Sequence, residues 1–211
     1  PTGQAGRLRT NWLGAFAPGL RPQVLSDDMG RFVQKGSKLL FEMHYTPNGT
    51  AQKDRSYVGF KFADGSKVKK EVAVQNAGNF TFKIPAGDPN YEVESEFTFR
   101  QKTMLLSVSP HMHVRGKSFK YELELPDGTR EVLLDVPRYD FNWQLWYQVP
   151  RGKMLPKGTR IEATPSSSVT TVSRSCGVEA AADGARQQGL PLRTFQPFGR
   201  LRHHVYMRRG D

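Results

Sequence analysis

Between Lys38 and Thr164 the chain sets bulky apolar residues among polar ones in short runs, and each run ends in a turn signal. KLLFEMHY (38–45) meets TPNGT, where Asn48-Gly49 favours a tight turn, and SYVGFKFA (56–63) meets Asp64-Gly65. KVKKEVAV (67–74), NFTFKIP (79–85), YEVESEFTF (91–99), TMLLSVSPHMHV (103–114) and SFKYELEL (118–125) follow. Pro126-Asp127-Gly128 closes a hairpin into TREVLLDV (129–136), and FNWQLWYQV (141–149) and TRIEAT (159–164) complete the series. Strict alternation in NFTFKIP and YEVESEFTF predicts strands that bury one face. Roughly ten such runs, spaced about 8–12 residues apart and uninterrupted by helical periodicity, predict an all-β, antiparallel β-sandwich or jelly-roll architecture.

The pattern changes after Thr164. PSSSVTTVSRSCGVEAAADGARQQGLPLRTFQPFGRLRHHVYMRRGD shows little alternation and is rich in Ser, Ala, Gly, Gln and Arg, a composition that buries little apolar surface. Residues 165–211 are therefore expected to be an irregular, poorly ordered tail.

Composition adds three constraints. A net charge of +11 invites a nucleic-acid reading, but the basic residues are spread along the chain and no aromatic RNA-binding motif or zinc-knuckle spacing accompanies them, so no nucleic-acid partner is expected. Cys176 is the only cysteine, which rules out an intramolecular disulfide and any cysteine-only metal site. No run of 18 apolar residues predicts a transmembrane segment, and PTGQAGRLRTNW lacks the apolar stretch of a signal peptide.

Chemistry concentrates in PHMHVRGK (110–117). On a strand, residues i and i+2 share a face about 6.5–7 Å apart, so His111 and His113 could converge on one ion while Met112 faces the other way. The spacing alone leaves two readings open, a pair of metal ligands or two solvent-facing polar residues, because a metal site also needs a third ligand and supporting hydrogen bonds. His44, inside the apolar run LLFEMHY, reads from its surroundings as a satisfied core histidine rather than a ligand. His203 and His204 are adjacent and would face opposite ways on a strand. HExxH, GxSxG, GxGxxG and P-loop patterns are absent, and the sequons at Asn48 and Asn79 and the terminal Arg209-Gly210-Asp211 carry no functional weight.

Taken together, several stretches resemble the copper type II, ascorbate-dependent monooxygenases, the family of peptidylglycine α-hydroxylating and dopamine β-monooxygenases, and most closely its bacterial members. They are FEMHYTPNGTAQKDRSYVGFKFA (41–63), FKIPAGDPNYEVESEFTFRQKTMLLSV (82–108), PHMHVRGKSFKYELELPDGTREVLLDVPRYDFNWQLWYQ (110–148) and LPKGTRIEAT (155–164). The resemblance spans about residues 11–164. It implies two jelly-roll domains, with 1–63 the end of the first, 64–164 most of the second, and 165–211 a divergent tail.

It also implies two coppers in a full-length member. His111 and His113 match the His-x-His pair that, with a later methionine, holds the oxygen-activating copper; His44 matches the last of three histidines on the electron-transferring copper. The other two of those three would precede Pro1. Imidazoles suit both Cu(I) and Cu(II), and a thioether favours Cu(I). The implied activity is hydroxylation of a C–H bond of a small-molecule substrate with dioxygen and an electron donor such as ascorbate, in a periplasmic or secreted setting.

The chain departs from the family in two places. Nothing after Thr164 matches the Gly-Asp…Glu-Met segment that carries the methionine ligand, and Met207 in VYMRRGD does not correspond to it. We therefore entertain a reading frame lost near Thr164, which translation of the coding DNA in its other frames would test. Ser109 stands where peptide-amidating members place a carboxylate-binding arginine, so peptide C-termini are not an expected substrate. Arg115, Tyr139 and Trp143 lie in family-like segments and read as packing or surface residues. From a different class, a non-catalytic β-sandwich module that binds a metal or another ligand would explain the same pattern, as would a basic surface-binding protein acting through its Arg-rich tail.

Overall fold

The computed structural model describes residues 10–16, 20, 23–45, 48–79, 82, 84–167, 176–183, 190–198 and 202–208, with backbone alone at 10–11, at 44 and from 176 onward. Its elements are β1 (Thr10–Phe16), β2 (Gln23–Val24), β3 (Met29–Val33), β4 (Lys38–His44), β5 (Tyr57–Phe62), β6 (Lys70–Ala77), β7 (Tyr91–Glu92) and β8 (Ser95–Thr98). They continue with β9 (Thr103–Ser109), β10 (Gly116–Glu124), β11 (Arg130–Val136), β12 (Tyr147–Leu155), β13 (Arg160–Ser167), β14 (Cys176–Asp183), β15 (Leu190–Phe198) and β16 (Arg202–Arg208). The protein is all-β, as its periodicity predicts, and among the described residues no helix is long and apolar enough to cross a membrane.

The chain forms two compact units, Pro1–Glu71 with Gly184–Asp211, and Val72–Asp183. In the first, β16 lies between β1 and β4, and β15 pairs with β2, β3 and β5, all antiparallel. Leu13 is buried against Val33, Leu39, Val58 and Phe60. A short parallel bridge joins Met29 and Gly30 to Lys70 and Glu71, and Lys70 Nζ reaches Asp28 Oδ2 at 2.7 Å.

The second unit is a sandwich. One sheet runs β11-β10-β13, with β7 and β8 both on the far edge of β13; in the other, β9 lies between β12 and β14. Both contribute to one core: Leu105, Val108 and Leu155 from the second sheet meet Phe119, Tyr121, Leu123, Ile161 and Ala163 from the first. Period-2 alternation explains the division. In β10, Phe119, Tyr121 and Leu123 point inward and Lys120, Glu122 and Glu124 outward, so one strand supplies both a core face and a charged face.

On that charged face the register aligns Glu96, Glu162 and Glu122 across three strands, with Arg160 opposite Glu124 in the next row. The Arg160 guanidinium meets Glu96 at 2.6 Å, Glu124 at 2.5 Å and Glu162 at 2.6 Å; Arg130 also contacts Glu124 and Glu162. Like charges directly opposite are destabilising, so the arginines hold the row together. Arg160 holds the Glu124 carboxyl below its ordinary value of 4.5 and is itself pushed up by Glu96 and Glu124.

The sign of the linkage is fixed by that depression: Glu124 stabilises the fold above its ordinary value, and the contribution is lost as pH falls through the lower folded value. Urea midpoints at pH 6 and pH 3 should show it. Arg160→Gln should be less stable than wild type at pH 6, and the difference should shrink at pH 3; an equal difference at both would contradict the assignment.

Several predicted elements shift. Of NFTFKIP, residues 79, 82, 84 and 85 are described and lie outside strands; YEVESEFTF breaks into β7 and β8. TMLLSVSPHMHV is strand only to Ser109, and FNWQLW precedes β12 as a loop. Thr10–Phe16 and Met29–Val33 form strands outside the predicted series. At the other end β13 continues past Thr164 through Ser167, with Pro165, Ser166 and Ser167 buried, and the backbones of β14, β15 and β16 are strand.

The His-x-His connection and its supporting loop

The histidine pair does not lie on a strand. His111 and His113 sit in the connection from β9 to β10, which ends in a turn closed by Gly116 N–H donating to the His113 carbonyl at 2.9 Å. Their alternation nevertheless follows the strand rule: Met112 is 0% exposed within the core, and both histidines are half-buried. An extended segment keeps opposite-facing neighbours without ladder hydrogen bonds, so burial of Met112 turns both imidazoles to the other side.

Two further elements hold this segment. The Tyr139 hydroxyl, beyond β11, accepts from Met112 N at 3.0 Å and donates to Met112 O at 2.7 Å, while the Tyr121 hydroxyl donates to Ser109 O at 3.0 Å. Met112 Sδ accepts from Ser167 Oγ at 3.8 Å. Gly116 lets the strands close over this: a Cβ there would lie 2.8 Å from Met112 Cβ, Met112 Cε and Tyr139 Cδ1.

His111 has a defined partner. Its Nδ1 meets Gln144 Oε1, and Gln144 Nε2 donates to the Phe141 carbonyl at 2.7 Å. A carbonyl only accepts, so the amide nitrogen must face Phe141 and the amide oxygen must face the imidazole. Nδ1 therefore carries a proton, and in the neutral ring Nε2 is the nitrogen that keeps its lone pair. Loop 140–144 is itself fastened, with Asn142 N donating to Asp140 Oδ1 at 2.8 Å and Trp143 N to Asp140 O at 2.9 Å.

The two imidazole rings stand 5.8 Å apart, centroid to centroid, at 88°. With metal–nitrogen distances near 2 Å, each ring centroid lies about 3 Å from a bound ion, so two ligating rings lie no more than about 6 Å apart. The observed spacing falls within that limit, at the wide end of the ligand–metal–ligand angles. Two imidazoles, one with its Nδ1 bound to a second residue, are the kind of nitrogen donors that transition-metal ions take.

The side chains of the remaining sequence candidates, His44, Cys176, His203, His204 and Met207, lie outside the described residues; His44 is at the end of β4 in the Pro1–Glu71 unit, its backbone opposite Arg202 of β16. Among the described residues no group of three or more His, Cys, Asp and Glu side chains forms a metal-binding cluster. Gln144 escaped the sequence reading: its only signal is an amide inside the aromatic run FNWQLWY, which the strand pattern absorbs. Tyr139, read as packing, is a backbone clamp.

No protein-family model matches the chain, and no curated protein matches it. The class that fold and site define is thus an all-β protein whose sandwich unit presents a supported His-x-His pair.

Proposed function

We propose that the Val72–Asp183 unit is the oxygen-activating domain of a copper type II, ascorbate-dependent monooxygenase, with His111 and His113 as copper ligands. The observation that carries this reading is the Gln144 bond to His111 Nδ1, which leaves Nε2 as a donor beside a second imidazole. When bound, copper would let one oxygen atom of dioxygen enter a substrate C–H bond while the other leaves as water, with two electrons from a donor such as ascorbate.

The chain's own residues do the positioning. Gln144 fixes the His111 ring and its tautomer; buried Met112, gripped at both backbone groups by Tyr139, fixes the direction of both imidazoles. The turn after His113 leads straight into β10, whose inward side chains anchor the connection to the core.

Copper titration of the full chain, followed by electron paramagnetic resonance, tests the reading. A type 2 Cu(II) signal is expected in the wild type and should vanish in the His111→Ala/His113→Ala double variant. Gln144→Leu should weaken copper binding by about 10-fold, the usual effect of removing a hydrogen-bond partner from a ligating histidine. A signal unchanged in the double variant would overturn the assignment.

A further inference from the structure

We propose that Asn48 is a covalent modification site: the Gly49 backbone nitrogen attacks the Asn48 side-chain amide, ammonia leaves, and hydrolysis converts the residue to an aspartyl or isoaspartyl group. The inference stands apart from the copper reading and concerns the exposed turn between β4 and β5.

Asn48-Gly49 is the one Asn-Gly pair in the sequence; Asn11, Asn79, Asn90 and Asn142 each precede an aromatic residue, and Asn76 precedes Ala77. Residues 48–55 are exposed, so hydroxide and water reach the amide from solvent. Gly49 has φ +80°, and a Cβ there would meet nothing within 4 Å. The attacking nitrogen therefore has no side chain beside it, and the space around its Cα is open.

The Asn48 side chain is already folded back on this peptide. Thr50 N donates to Asn48 Oδ1 at 3.1 Å, and Thr50 Oγ1 donates to the same oxygen at 3.0 Å. The first bond closes a ring that contains both Asn48 Cγ and the Gly49 nitrogen, the two atoms that must join. A backbone N–H only donates, so the acceptor is the amide oxygen and the NH2 leaving group points away from both donors. Gln52 Nε2 donates to Thr50 Oγ1 at 3.0 Å, which leaves the hydroxyl proton for Asn48.

Hydroxide removes the Gly49 N–H proton, the nitrogen bonds to Asn48 Cγ, and negative charge develops on Oδ1, where two donors already point. The Cγ–Nδ2 bond then breaks, the amino group takes a proton from water and leaves as ammonia, and a cyclic imide remains. Water opens the imide at either carbonyl. The net change is amide plus water to carboxylate plus ammonium.

Two turns elsewhere in the chain show what the aspartyl product would do. Thr129 N donates to Asp127 Oδ1 at 2.9 Å with Gly128 at φ +84°, and Ser66 N and Oγ donate to Asp64 Oδ1 at 3.0 and 2.7 Å. The Ser66 hydroxyl bond to Asp64 and the Thr129 N–H bond to Asp127 hold these carboxyls below their ordinary value of 3.8. An aspartyl group at position 48 thus keeps the turn and adds a negative charge, whereas an isoaspartyl group lengthens the main chain and cannot.

Incubation of the full chain at pH 8, followed by proteolytic digestion and mass spectrometry, tests the proposal, with a synthetic peptide of residues 45–53 as the unstructured reference. Asn48 should gain the mass of amide-to-acid conversion while the other asparagines stay unchanged. The rate should rise about tenfold between pH 7 and pH 8, because hydroxide generates the nucleophile. Thr50→Ala keeps the N–H and loses the hydroxyl; it should slow conversion by about threefold or more, and Thr50→Ser should restore it. Asn48→Asp should match or exceed the wild-type urea midpoint at pH 6. Asn48 intact after the peptide has fully converted overturns the site. Equal rates in wild type and Thr50→Ala overturn the role given to the turn, and a lowered midpoint in Asn48→Asp overturns its retention in the product.

Discussion

Tyr139→Phe is expected to destabilise the protein by about 2–4 kcal/mol, far more than loss of one hydroxyl ordinarily does. That hydroxyl serves two backbone groups at once, the N–H and the C=O of Met112, whose side chain is wholly buried. Phenylalanine fills the same space and leaves both groups without this partner, and each buried unsatisfied group costs about 1–3 kcal/mol. Tyr121→Phe supplies the comparison. Its hydroxyl donates to the Ser109 carbonyl, and loss of that bond should cost about 1 kcal/mol. Urea denaturation of the two variants measures both; equal losses would mean that the Tyr139 clamp contributes nothing special. Copper affinity should separate them too, falling in Tyr139→Phe because the Met112 anchor directs the flanking imidazoles.

Gly116→Ala should destabilise by about 1–3 kcal/mol through crowding, with no backbone strain involved. The added Cβ would stand 2.8 Å from Met112 Cβ and Tyr139 Cδ1 as well as from Met112 Cε. The thioether end can swing away, but Met112 Cβ and the tyrosine ring are fixed by the two hydrogen bonds already described, so the main chain must shift. For a unit of this size the loss lowers the thermal midpoint by roughly 5–15 °C. Gly128→Ala, where an added Cβ meets nothing within 4 Å but φ is +84°, should be destabilised by backbone strain alone and leave copper binding unchanged. A Gly116→Ala variant with wild-type midpoint and wild-type copper affinity would show that the loop is not packed as described.

Much of the fold was legible because sandwich strands advertise themselves. Phe119, Tyr121 and Leu123 alternate with charged residues, and Ile161 and Ala163 do the same across the sheet, so the face that enters the core can be read from residue type alone. The pattern misled where apolar residues serve loops. FNWQLW has the composition of a strand, yet it covers the histidine connection, and its aromatic residues pack or stand exposed for reasons no period shows. NFTFKIP alternates well, and its described residues still fall outside any ladder. Strand β1 and the short β2 lie outside the series because their few residues show no sustained alternation.

The sequence by itself determined that the protein is all-β, that His111 and His113 share one side of an extended segment, and that Met112 opposes them. Each follows from the two-residue period of extended backbone, a local property that needs no partner strand. Only the tertiary structure decided which groups meet that segment. Gln144 lies 33 residues from His111 and Tyr139 lies 27 residues from Met112, and the hydrogen bonds that fix the imidazole tautomer and grip the buried methionine depend on β10 and β11 folding back between them. No periodicity encodes a contact across that distance, because it is set by how the sheets close over one shared core.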